Sequence, residues 1–193
     1  MKLSQLASVL LATSASLAQA QNGSFVSFSD PGIQLDIKLA IPDATAAPFP
    51  LLVTFSAPIS VGWAGFATGG CMLRSPLIVA WPNGKSVLVT TRWATPVPEH
   101  NHHRPAVHRQ RHALDRGLLC SAGCSDWYGG AIDPNYNNAT FGYGASSQPA
   151  ATPSSVNSTI HFHDLAIGHF DLDLTKAKNG KATWDGLVKG YGA

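Results

Sequence analysis

Leu77-Ile78-Val79-Ala80-Trp81-Pro82-Asn83-Gly84-Lys85-Ser86-Val87-Leu88-Val89-Thr90 is the stretch that decides the fold class. Two apolar runs rich in β-branched residues flank the turn Pro82-Asn83-Gly84-Lys85. Asn-Gly between such runs is a strong local hairpin signal, because both residues tolerate a positive φ. Upstream, Leu51 to Phe55 and Val61 to Ala67 read as strands. Downstream, Thr140 to Tyr143, Ser158 to Phe162 and His169 to Leu174 do the same. Short strands punctuated by glycine (18) and proline (13) predict an all-β fold, an antiparallel sandwich of the immunoglobulin-like kind. No long stretch repeats apolar residues at helical spacing.

The 193 residues suit one domain with a core of its own. Charged residues make up 12% against an average of about 25%, and hydrophobic ones 45%. That balance excludes a disordered chain, a coiled coil and an acidic tail. A net charge of +2 gives no reason to expect nucleic acid as a partner. Residues 1–20 read as a signal peptide: Met1-Lys2, an apolar run from Leu6 to Leu17, and Ala18-Gln19-Ala20 as the small-x-small cleavage site. The run is too short to span a bilayer, and Trp184 to Ala193 has no lipid-anchor tail. The expected product is residues 21–193, secreted to the extracellular space, off the membrane, and monomeric. Sequons at Asn22, Asn138 and Asn157 agree with that route as glycosylation sites. In an oxidising compartment Cys120 and Cys124 can close a small loop, which leaves Cys71 as a free thiol, expected to be buried.

Residues 96–116 break character. They hold five of the eight histidines (His100, His102, His103, His108, His112) and four of the six arginines (Arg104, Arg109, Arg111, Arg116). A metal-binding tract, a solvated loop and a stretch read in the wrong frame all suit this composition. The absence of an alternating apolar face favours the last two.

Past the leader the chain has one methionine, Met72, directly after Gly69-Gly70-Cys71. Glycine pairs let backbone approach a flat or bulky group. A thioether can ligate iron, and Met/His ligation is an established way to hold haem. Taken alone, however, a methionine is better explained as core filler. Imidazole partners lie in Ser158-Thr-Ile-His161-Phe-His163-Asp-Leu-Ala-Ile-Gly168-His169-Phe170. On a strand His161 and His163 would share a face, and spacing does not choose among the three histidines.

Val61-Gly-Trp-Ala-Gly-Phe-Ala-Thr-Gly-Gly-Cys-Met72, Leu77-Ile-Val-Ala-Trp-Pro-Asn-Gly84 and Thr91-Arg-Trp-Ala-Thr95 together resemble the cytochrome domain of fungal cellobiose dehydrogenases. That domain is a haem b member of the DOMON-type sandwiches. Phe28-Ser-Asp-Pro31, Cys120…Cys124-Ser-Asp-Trp127 and His163…Gly168-His-Phe-Asp-Leu-Asp173 fit as well. The resemblance implies non-covalent haem b at one end of the sandwich, with Met72 and His163 as axial ligands. His161 is the fallback and His169 a distant third. Trp63, Phe66, Trp81 and Phe170 are taken as apolar walls. The histidine-to-glycine spacing is one residue longer than the family's. The C-x3-C pair is also wider, and the His/Arg-rich run stands where the family has a Thr-His-aromatic stretch.

The implied function is one-electron transfer, from a separate flavin dehydrogenase or another reductant to a copper polysaccharide monooxygenase or ferric iron. No G-x-G-x-x-G fingerprint is present, so no dehydrogenase active site is expected in this chain. Two rival readings are a haem-free carbohydrate-binding DOMON module and a secreted metal-binding protein acting through its histidine tract.

Overall fold

A computed structural model describes residues 23–94, 108–111 and 116–191, with backbone alone at 108–111 and 116. Its strands are β1 (Val26–Asp30), β2 (Leu35–Pro42), β3 (Leu51–Ser56), β4 (Trp63–Ala67), β5 (Pro76–Asn83), β6 (Ser86–Trp93), β7 (His108–Arg111), β8 (Arg116–Cys120), β9 (Asp126–Trp127), β10 (Gly130–Ala131), β11 (Ala139–Ser146), β12 (Ala166–Leu172) and β13 (Lys178–Asn179), followed by helix α1 (Lys181–Gly190). One sheet runs β1-β2-β3-β8, with β13 added in parallel to β2. The other runs β12-β11-β4-β5-β6-β7.

The two sheets face each other. Leu35, Ile37, Leu39, Val53 and Phe55 of the first pack with Ala64, Phe66, Ile78, Ala80, Val89, Phe141 and Phe170 of the second. Side chains alternate between the faces of a strand, so these account for only half of each buried strand. The other half is covered from outside. Trp184 and Leu187 of α1 close over Ala40 and Leu52 on the back of the first sheet. On the back of the second, Trp63, Val79 and Trp81 pack with Ala150 and Ile160 from the connection between β11 and β12. That double cover is why β4 reads as an unbroken apolar run, since all five of its residues are buried. Each large side chain so covered contributes roughly 1.5–3 kcal/mol.

The hairpin forms over β5 and β6 with Asn83 opposite Ser86, so its two-residue loop is Gly84-Lys85. Of these two residues Gly84 alone takes a positive φ, +62°. The turn therefore has its glycine at the first central position, and Asn83 belongs to the strand. Three further expectations change. Ser158 to Phe162 is irregular rather than a strand: the Ser158 and His161 carbonyls accept from Arg92 and Trp63 of the sheet beneath, and the Thr159 carbonyl from the Ala151 amide. The strand expected at His169 starts at Ala166 and ends at Leu172. Within the His/Arg-rich run, the backbone of His108–Arg111 pairs antiparallel with β6, and Arg116 opens β8 against β3, so these parts are strand and not loop. The remainder of that run, the signal peptide and Asn22 lie outside the described residues. Helix α1, with Trp184, Leu187, Val188 and Tyr191 on one stripe, has too few turns to announce itself in sequence. No described helix is long and apolar enough to cross a membrane.

Candidate functional site

A cleft of about 350 Å³ lies on the outer face of the six-stranded sheet. Its floor comes from β4 and β11, where Gly144 pairs with Gly65 and Gly142 with Ala67. Phe66, Phe141 and Tyr143 alternate with these small residues, so strand geometry turns the rings one way and the glycines the other. The result is a patch of sheet with almost no side chains on it. At Gly142 the emptiness is obligatory, because a Cβ there would come within 2.5 Å of the Gly70 carbonyl oxygen.

That carbonyl belongs to the loop carrying Met72, which leaves the Ala67 end of β4. The Thr68 amide donates to the Pro76 carbonyl at 3.1 Å and closes the loop's neck. Gly70 turns the chain with φ +81°. The Ser75 hydroxyl donates to the Cys71 carbonyl. From the side, the Trp127 ring packs so closely that a Cβ on Gly69 would sit 2.9 Å from it. Trp127 follows the Cys120–Cys124 disulfide and Ser125, whose hydroxyl accepts from the Phe49 amide at 2.8 Å. Met72 is 42% exposed and lines the cleft.

His163 arrives from the other end of the same strands, on the connection that leaves Ser146. Outward side chains of three adjacent strands hold this connection by its carbonyls. The Trp63 indole donates to His161 at 3.0 Å and the Trp81 indole to Pro153 at 2.9 Å. The Arg92 guanidinium donates to Val156 at 3.0 Å and Ser158 at 2.6 Å. Arg92 also lies 5.3 Å over the Trp81 ring, and burial pulls its pKa down. Next to His163, the Asp164 carboxylate accepts from the Ser147 amide and hydroxyl, both at 2.7 Å. These bonds to Ser147 hold its pKa down at about 2. The half-buried His163 then lies over Gly144, 3.6 Å from where a Cβ would be.

The structure thus brings Met72, His163 and Trp63 to one cleft, and adds His169 from β12. It does not bring His161 there. That residue is exposed, and its carbonyl serves Trp63. Three expected walls are elsewhere. Phe66 and Phe170 belong to the core between the sheets, where Phe66 stacks on Phe141 at 5.0 Å and Phe170 on Phe28 at 4.2 Å. Trp81 lies beneath the connection and does not line the cleft. The cleft is also on a face of the sandwich, not at its end. Cys120 and Cys124 are bridged as expected, whereas the free Cys71 is exposed, with its thiol directed to the Leu73 carbonyl at 3.0 Å. Asn138 and Asn157 are exposed.

Among the described residues no group of three or more His, Cys, Asp and Glu could hold a metal ion. The residues missed from sequence are the floor glycines, the anchors Arg92 and Asp164, and Tyr143. The Tyr143 hydroxyl donates to Asp30 at 2.8 Å, and burial first, then that bond, raises its pKa to about 12. The aromatic-glycine alternation Phe141-Gly-Tyr-Gly144 was the available signal.

A family model, the cytochrome domain of cellobiose dehydrogenase, matches residues 18–182. The chain belongs to that family. As a cellobiose dehydrogenase-type cytochrome domain it is 29% identical over 140 residues to a pyrroloquinoline quinone-dependent pyranose dehydrogenase of Coprinopsis cinerea. That match covers 68% of the chain but only 19% of the relative. The fold of this cytochrome domain matches the cytochrome b domain of pyranose dehydrogenase from the same organism, with a TM-score of 0.69 at 24% identity over 86% of this chain and 89% of the other. It also matches the cytochrome domain of Myriococcum thermophilum cellobiose dehydrogenase, with a TM-score of 0.63 at 20% identity over 88% and 98%.

Membership implies a haem cofactor and an electron-transfer role. The cleft of this cytochrome domain fits such a group. A floor stripped of side chains accepts a flat macrocycle, the surrounding residues are mostly apolar, and the two donors are a soft thioether and an imidazole.

Proposed function

We propose that this cytochrome domain is a secreted, extracellular haem b electron carrier, with Met72 and His163 as the axial pair. The observation that carries this reading is that both residues reach one glycine-floored cleft from opposite ends of the same strands. Bound haem b supplies a one-electron iron couple. The Met72 thioether favours the ferrous side of that couple, and the loop closed by Thr68 and braced by Trp127 keeps it at the cleft. His163 is held by the anchored connection, and Trp63 with Val79 and Ile167 keeps water from the floor. With Met72 and His163 as its two protein ligands, a bound haem would serve electron exchange with a docked partner rather than oxygen binding. The expected donor is a flavin- or quinone-dependent sugar dehydrogenase, and the expected acceptor a copper polysaccharide monooxygenase or ferric iron. The Cys120–Cys124 bridge supports an oxidising compartment.

The test is the absorption spectrum of the purified protein after haem b addition. A Soret band with sharp low-spin bands on reduction, and poor carbon monoxide binding, is the expected result. A protein that takes up no haem but retains oligosaccharides would overturn it in favour of a carbohydrate-binding module.

A further inference from the structure

We propose that Phe162 is a positioning residue that orients the His163 imidazole. This rests on the axial assignment above. Phe162 is a large apolar side chain left 76% exposed, in a segment whose neighbours are tied down. Its ring does little for the core. What it touches is His163, with ring centroids 3.9 Å apart and planes inclined at 38°.

The backbone on both sides of His163 is fixed, by the Trp63 indole on the His161 carbonyl and by the Leu165 amide on the Ala145 carbonyl. Those bonds place the Cα but leave the torsions of the imidazole free. A metal-bound histidine usually has its ring set by a hydrogen bond from its second nitrogen. Among the described residues nothing hydrogen-bonds to the His163 ring, so the Phe162 face takes over that duty. Aromatic contacts of this kind alter an equilibrium roughly 2- to 10-fold.

The experiment uses the full chain loaded with haem b, comparing Phe162→Ala and Phe162→Tyr with the parent. Two quantities are read: the rate of haem transfer to excess apomyoglobin, and the electron paramagnetic resonance spectrum of the ferric protein, which reports imidazole orientation. Because Phe162 is exposed, both variants keep the parent's unfolding midpoint. Phe162→Ala should release haem about 3- to 10-fold faster and shift the low-spin g values, and Phe162→Tyr should restore both. Parent-like release and g values in Phe162→Ala would overturn the proposal. His163→Ala separates the two levels of the argument. If it loses the low-spin signal while Phe162→Ala is parent-like, only the role of Phe162 fails. If it keeps that signal, the axial assignment fails and this proposal with it.

Discussion

Met72 and His163 are ordinary residues made unusual by what surrounds them. A methionine 42% exposed beside an imidazole cleft is poorly explained as core filler. Met72→Ala should lower the midpoint potential and open a carbon monoxide site, because the thioether favours ferrous iron. Voltammetry and a carbon monoxide difference spectrum check both. His163→Ala should lose haem or its low-spin spectrum. The informative controls are the other two histidines. His161→Ala should leave the spectrum intact, since its side chain is outside the cleft. His169 faces the cleft, so a low-spin spectrum that survives His163→Ala but not His169→Ala would reassign the ligand. Gly142→Ala should cost about 1–3 kcal/mol by pushing against the Gly70 carbonyl, and chemical denaturation reads that directly.

Two loops do the work at the level of elements, and they are secured differently. The Met72 loop is short and closed by its own backbone, whereas the longer connection to β12 depends on side chains borrowed from β4, β5 and β6. Arg92→Ala removes two charge-assisted bonds and should cost about 2–3 kcal/mol, and haem release should quicken although Arg92 is absent from the cleft lining. Parent-like release in that variant would show that the connection stands without its clamp. This dependence explains what could be read beforehand. The hairpin β5–β6 and strands β3, β4 and β11 were legible, because their apolar runs and turn residues are local signals. The segment Ser158 to Phe162 has strand-like composition, but Trp63 and Arg92 claim its carbonyls, and no local pattern reveals a bond made 98 residues away. Phe66 and Phe170 were misplaced for a similar reason, since neighbouring residues on a strand look alike until the facing sheet is known. Met72 and His163 came from resemblance, and their spacing alone did not choose them.

At the scale of the molecule, the two sheets and their outer covers form a ring of mutual support that pH and redox conditions can probe. The Tyr143 ring packs in the core between the sheets, and its hydroxyl donates to Asp30 of the facing sheet. Its folded-state pKa, about 12, exceeds the ordinary value of 10. The bond therefore stabilises the fold fully below pH 10 and is lost as pH rises through about 12. Tyr143→Phe should flatten that alkaline part of the stability profile and, because the bond is intact at neutral pH, lower stability there by about 0.5–1.5 kcal/mol. Thiol titration gives a second check. One equivalent should react in the denatured, unreduced protein, at Cys71. Three would mean that the Cys120–Cys124 bridge is not made.

The interleaving of Phe141 and Tyr143 with Gly142 and Gly144 has an evolutionary corollary. Cofactor seat and hydrophobic core are spelled in alternate letters of one sentence, so each can be edited without touching the other. A descendant that abandons the pigment would keep every ring, and Gly142 beneath the Gly70 carbonyl, and stay folded while Gly65 and Gly144 drift to bulkier residues. Bulky side chains at positions 65 or 144 should therefore mark colourless members of this lineage even where the methionine and histidine persist, and expressing one such homologue beside this chain would show whether the seat or the ligands are lost first.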